Sequence, residues 1–131
     1  MTLVCFEHCI VPCIDNDRTR WHVAHGWIWN IVERKSRRKI GVFYASLLCG
    51  DGACLHFEVI DNIKIPFPVT LSAMRRGLAI ASAHRTLILA TVYADYYPLL
   101  RICKKLGFIV LEHGEFEREG KTVLTLKYLR T

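Results

Sequence analysis

The sequence predicts an α/β fold, a central mixed β-sheet with helices on both faces. Three observations carry this. Segments rich in β-branched and aromatic residues alternate with stretches at helical spacing, in the order β–α(α)–β–β–α–β–α–β–β. Two apolar arms flank the turn residues Gly50-Asp51-Gly52, the signature of a hairpin. The continuous apolar run Thr86–Ala94 reads as a strand covered on both faces. With 131 residues, 52% of them apolar, the chain suits a single domain over residues 1–131. Such a core needs no disulfide or structural metal.

Residues 2–11 read as the first strand, and Asp15-Asn16-Asp17 supplies N-cap chemistry for a helix after it. Trp21, Ala24, Ile28, Ile31 and Val32 recur at helical spacing, so a helix is expected there, split in two at Gly26. Three tryptophans within Trp21–Trp29 place this segment across an apolar sheet face or a partner. The charged run Glu33–Lys39 reads as a solvated helix end and turn. Ile40–Leu48 and Ala53–Ile60 are the arms of the hairpin, and two prolines keep residues 61–68 irregular. A helix fits Thr70–His84, with Leu71, Met74, Leu78 and Ala81 on one stripe. After the strand Thr86–Ala94, Pro98 opens a short helix that Gly107 ends. Strands at Phe108–His113 and Thr122–Leu129, joined around Glu119-Gly120, close the order.

A net charge of +6 favours an anionic partner: a nucleotide-containing cofactor, an acidic protein or a nucleic acid. Nucleic acid would meet Arg34, Lys35, Arg37, Arg38 and Lys39, although no aromatic residue interleaves them for base stacking. The mean hydropathy is positive, which points to a covered surface, either a protein partner or a homo-oligomer. No apolar run approaches the roughly 18–20 residues that span a bilayer. The first apolar stretch is interrupted by Glu7 and His8 and has no basic region before it, unlike a signal peptide, so a cytoplasmic protein is expected. The six cysteines form no Cys-x-x-Cys pair. Cys5, Cys9 and Cys13 on an extended segment would stand about 13 Å apart, too far for one ion, so buried free thiols and no metal are expected. His22 and His25 lack a third ligand at clear spacing and read as surface residues.

Tyr97–Phe108 (YPLLRICKKLGF) resembles the fourth helix of the GNAT N-acetyltransferases, with Lys105-Leu106-Gly107-Phe108 matching its end. The resemblance covers about residues 38–130. It implies the GNAT-like acyl-CoA fold, acetyl-CoA as acyl donor, and Leu87–Tyr93 as the strand that splays to admit the pantetheine arm, with Val92 on it. It also places Val69 and Thr70 at the cofactor loop and Arg75 and Arg76 near the phosphates. In the family a Gln/Arg-x-x-Gly-x-Gly/Ala loop holds the pyrophosphate on backbone N–H groups at a helix N-terminus. Here that place is filled by Ile65-Pro66-Phe67-Pro68-Val69-Thr70, without glycine and with two donors removed. Arg76-Gly77-Leu78-Ala79-Ile80-Ala81 offers a rival register, but would leave the helix about one turn long.

The family's general acid, a tyrosine five residues before the Phe of Leu-Gly-Phe, falls on Cys103; Tyr97 or Tyr96 substitutes only if the helix shifts. Some members use a glutamate on the fourth strand as base, and Glu58 lies there. Period two puts His56 on the same face as Glu58, with Leu55, Phe57 and Val59 opposite, and a carboxylate beside a histidine suits proton transfer near neutral pH. Gly50–Lys127 also resembles small GNAT-like proteins of short-tailed bacteriophages, including an internal virion protein. The shared features are the Gly-Asp turn, the irregular segment after the fourth strand, the helix before the Gly, and the charged hairpin. That resemblance and the altered loop imply a catalytically impaired binding or assembly component, in a host cytoplasm or virion. A divergent N-acetyltransferase using Glu58 is the alternative.

Overall fold

The computed structural model describes residues 4–60 and 63–129; the ends of the expected first strand at 2–3 and of the irregular segment at 61–62 lie outside them. There are eleven elements in chain order: β1 (Val4–His8), α1 (Asp17–His25), β2 (Trp27–Glu33), β3 (Lys39–Leu48), β4 (Gly52–Val59), α2 (Phe67–His84), β5 (Leu87–Tyr93), α3 (Tyr97–Leu106), β6 (Phe108–Val110), β7 (Phe116–Arg118) and β8 (Lys121–Tyr128). They build one eight-stranded sheet in the order β1-β2-β3-β4-β5-β8-β6, with β7 also on β8. Every pairing is antiparallel except β4 with β5.

The expected second half of the first helix is a strand. Gly26 is extended (φ −142°, ψ −152°) and ends α1, after which Trp27-Ile28-Trp29-Asn30-Ile31-Val32 joins β3. The cause is that β2 is central and apolar on both sides. Ile28 packs towards α1 with Val42 and Tyr44, whereas Trp27, Trp29 and Ile31 join Phe43 and Ala45 in the core under α2 and α3. A segment apolar on both faces satisfies a helical period as readily as a strand period. Helices do flank both faces, α1 on one and α2 with α3 on the other.

The start of α1 arises from its cap. The Asn16 side chain accepts from the Thr19 amide (2.9 Å), and the Thr19 hydroxyl accepts from the Asn16 amide (3.0 Å), a reciprocal box. The helix α2 begins three residues before the expected start at Thr70. Pro66 is its N-cap and Pro68 lies in its first turn, where a missing N–H breaks no helical bond. Gly77 thus sits in the middle of an 18-residue helix, which removes the rival register. There a Cβ would lie 2.8 Å from Phe57 Cζ and 3.2 Å from Phe43 Cε2, so glycine lets α2 lie close on the sheet. Gly107 closes α3 in the left-handed region (φ 102°). The cysteines differ from expectation: Cys103 alone is fully buried, Cys49 is exposed, and the others are half-buried. Among the described residues no helix is long and apolar enough to cross a membrane.

Candidate active site

The sheet opens at its one parallel seam. β4 pairs with β5 only from Gly52↔Leu87 to Leu55↔Ala90. Beyond that, His56–Val59 stay with β3, whereas Thr91–Tyr93 stay with β8. A cleft of about 160 Å³ fills the fork and is lined from both faces of the sheet. On the α1 side stand Arg18, Tyr44, His56, Glu58 and Arg118; on the α2/α3 side Met74, Leu99 and Cys103 meet Val92. An adjoining apolar cavity of about 190 Å³ runs from Glu58 to the start of α2, past Val69, Thr70 and Tyr96.

Glu58 and His56 share a face, as period two requires. The Glu58 carboxylate accepts three donors: Tyr44 Oη (2.6 Å), Arg18 Nη2 (3.0 Å) and Asn16 Nδ2 (3.1 Å). Asn16 therefore caps α1 and ties its start to β4 at once. Burial, then the hydrogen bond to Glu58, keeps the Tyr44 phenol protonated well above its usual range. Its ring stacks on His56, directly opposite in the β3/β4 register (5.0 Å, 17°).

His56 belongs to a second chain of bonds. His22 Nδ1 lies 2.7 Å from the Arg18 carbonyl, which can only accept, so Nδ1 carries the proton. His22 Nε2 lies 3.1 Å from Ser46 Oγ, and Ser46 Oγ 3.3 Å from His56 Nε2; where the hydroxyl donates to His22 Nε2, it accepts from His56 Nε2–H. That order leaves His56 Nδ1 as a bare lone pair. Among the described residues no hydrogen-bond partner meets Nδ1, and His56 lines the cleft. Burial first, then His22, Arg18 and Arg118, lowers the His56 pKa to about 4, so the ring is neutral at pH 7. The expectation that His22 is a surface residue is corrected: it is 5% exposed, whereas His25 is exposed and stacks on Trp21.

The structure brings Glu58, Cys103 and Val92 together in the cleft, and Val69 and Thr70 into the adjoining cavity. It leaves the other expected residues elsewhere. Tyr97, the first residue of α3, is 70% exposed and lines neither cavity; its neighbour Tyr96 lines the second. Arg75 lines a separate notch beside Lys105, and Arg76 is exposed on α2. Arg34, Lys35, Arg37 and Arg38 lie in the exposed β2–β3 connection, where Arg37 pairs with Glu7, and Lys39, also exposed, opens β3. Burial pushes the Cys103 thiol up to about 11. Sequence reasoning alone does not single out Tyr44, Ser46, His22, Arg18 or Arg118 for the site. Tyr44 and Ser46 are findable from the hairpin, since the register across its turn sets them on the His56 face. Arg118 is not: its hairpin with β8 is local, but that hairpin reaches the cleft only through the long-range pairing of β8 with β5.

The start of α2 is apolar. Pro66 and Pro68 lack N–H groups, and the Val69 amide donates to the Pro66 carbonyl (3.0 Å). Phe67 is exposed and lies under the Lys105 ammonium (5.5 Å). Two of the amides that a helix start would offer an anion are thus missing here.

No protein-family model and no curated protein matches the chain. Solved structures do match it. An IAA acetyltransferase from Bacillus cereus is similar with a TM-score of 0.72 at 11% identity, over 96% of this chain and 99% of that one. A spermidine N-acetyltransferase chimera from Vibrio cholerae and hSSAT gives 0.73 at 10% identity, over 96% and 95%. A protein described as a GnaT-family acetyltransferase from Bordetella pertussis gives 0.68 at 15% identity, over 86% and 70%. At such identities the likeness is one of architecture, and the chain has the fold of the GNAT acetyltransferases.

Proposed function

We propose that the chain is an N-acyltransferase that receives an acyl thioester, acetyl-CoA being the simplest, from the α2/α3 side of the cleft and an amine from the α1 side. The observation that carries this reading is the fork between β4 and β5, lined from both faces of the sheet, with His56 among the residues on its α1 side. The amine nitrogen attacks the thioester carbonyl, the C–N bond forms, the C–S bond breaks, and the thiolate leaves. The attacking nitrogen becomes strongly acidic as the bond forms, so a base of depressed pKa can take its proton, and His56 Nδ1 is that base. Glu58, engaged by three donors, is a positioning residue that fixes Tyr44, Arg18 and Asn16. The Cys103 thiol, near 11, holds its proton more tightly than an ordinary thiol near 8.5, so giving it to the leaving thiolate runs uphill. It serves as a hydrogen-bond donor beside Val92, and solvent supplies the proton. Val69 and Thr70 flank the donor's path; Arg75 and Arg76 take no part in it.

Release of free thiol from acetyl-CoA in the presence of a panel of amines tests this. His56→Gln is expected to lower kcat by about 100-fold or more, the range of a general base. Glu58→Gln should act more weakly and mainly through KM. No thiol release with any amine sinks the reading.

A second reading is favoured by the prolines at the start of α2. In it the nucleotide site is lost, and the chain acts as a binding or assembly component with a protein partner or second copy, as in the phage proteins it resembles. Thermal unfolding separates the two. Ligand at 100 times its dissociation constant adds about 2.7 kcal/mol, so an unmoved midpoint with saturating acetyl-CoA favours the second.

A further inference from the structure

The α1 side of the cleft carries an unbalanced positive charge. Among the described residues that line it the one carboxylate is Glu58, which is taken by Arg18 at 3.0 Å. The acids next along α1, Asp15 and Asp17, are taken by Arg20 (3.4 and 2.8 Å). His56 is neutral. Arg118, brought in by the β7–β8 hairpin, lines the same cleft, and among the described residues no carboxylate lies within ion-pair distance of it. Its guanidinium rests over Phe116 (5.4 Å), which shares its face by period two, whereas Glu117 alternates to the other. Directly across the ladder stands Lys121, another cation. Arg18 and Arg118 against Glu58 leave a surplus of one positive charge, at a rim that is open to solvent.

Resting on the acyl-transfer reading above, we infer that the acceptor is a small primary amine that also carries an anion, with Arg118 binding the anion while the amine meets His56 Nδ1. Arginine suits this because its planar fork pairs with carboxylate or phosphate through two parallel hydrogen bonds. A polyamine, all cation, meets Arg18 and Arg118 with no free carboxylate to receive it. This chain is therefore set apart in acceptor from the spermidine enzyme whose architecture it shares.

The test uses the full chain with acetyl-CoA and four acceptor types: free α-amino acids, their C-terminal amides, O-phosphoethanolamine and spermidine. The expected result is a kcat/KM at least ten-fold higher for acids than for amides. In Arg118→Ala that ratio collapses towards one, and in Arg118→Lys it is partly restored. Preference for O-phosphoethanolamine over the amino acids identifies phosphate as the anion. Amides or spermidine turning over as well as the acids, or an unchanged ratio in Arg118→Ala, overturns the inference. A binding arm without donor keeps it separate from the transfer reading. Shifts of the Arg118 Nε–H resonance on titration with an amino acid, but not with its amide, support the anion site even if no thiol is ever released. Absence of that difference overturns it.

Discussion

His56 shows how one residue acquires its chemistry from its neighbours. Its ring is wedged between the Tyr44 phenol and the Ser46–His22 chain, with two guanidiniums lining the same cleft, so accepting a proton costs more than in water. The consequence for stability has a definite sign. The folded ring titrates near 4 and the unfolded one near 6.5, so the unfolded chain binds more protons between those values. His56 leaves stability untouched above pH 6.5 and removes it progressively as pH falls towards 4, by about 3 kcal/mol in full. His56→Gln is expected to flatten that part of the pH–stability curve, measured as urea midpoints at pH 7, 5.5 and 4. Equal slopes in both proteins show that the ring is not held neutral. The residues themselves are readable in the sequence: period two alone places Glu58 and His56 on one face. Which of them is tied and which is bare depends on Asn16, Arg18, Ser46 and His22, distant in sequence, and no spacing reveals that.

Among the elements, the legible ones are those with punctuation. The β3–β4 hairpin announces itself at Gly50-Asp51-Gly52, α1 at Asn16, and α3 by Pro98 and Gly107. The strand β2 escapes sequence reading because its side chains are apolar on both faces, and the start of α2 is masked because prolines in a first turn look like a break. The contact between α2 and the sheet makes a prediction at this scale. Gly77 lies over Phe57 and Phe43, so Gly77→Ala gains helix propensity but drives a methyl to within 2.8 Å of a ring carbon. Overpacking of this kind costs about 1–3 kcal/mol, against roughly 1 kcal/mol gained from replacing glycine in a helix. Net destabilisation is expected as a lower denaturant midpoint with unchanged slope. A stabilised Gly77→Ala would mean that α2 has room to shift outward. Because Met74 and Leu78 on the same helix line the cleft, the variant is expected to loosen the donor side as well.

The whole molecule is organised by one parallel pairing in an otherwise antiparallel sheet. That pairing requires the crossover through α2, and its four-residue length leaves the rest of β4 and β5 to diverge, so one topological event makes both the fork and the helix that covers it. The strand order is legible through the GNAT resemblance rather than from periodicity, since pairing across β5 and β8 is long-range. The donor half of the site then divides in two. On the proposed acyl-transfer reading the fork and the apolar cavity take the acyl-pantetheine arm, whereas the helix end beyond them lacks two amide donors at Pro66 and Pro68 and presents Phe67. The nucleotide half of acetyl-CoA should therefore add little affinity. S-acetyl-pantetheine is expected to have a KM within about ten-fold of that of acetyl-CoA, a difference below about 1.4 kcal/mol. The double variant Pro66→Gly, Pro68→Gly should restore amides near the helix dipole and move the preference towards acetyl-CoA. A wild-type preference for acetyl-CoA of several hundred-fold would place the nucleotide on other groups. The basic notch of Arg75 and Lys105 is the one to mutate next in that event.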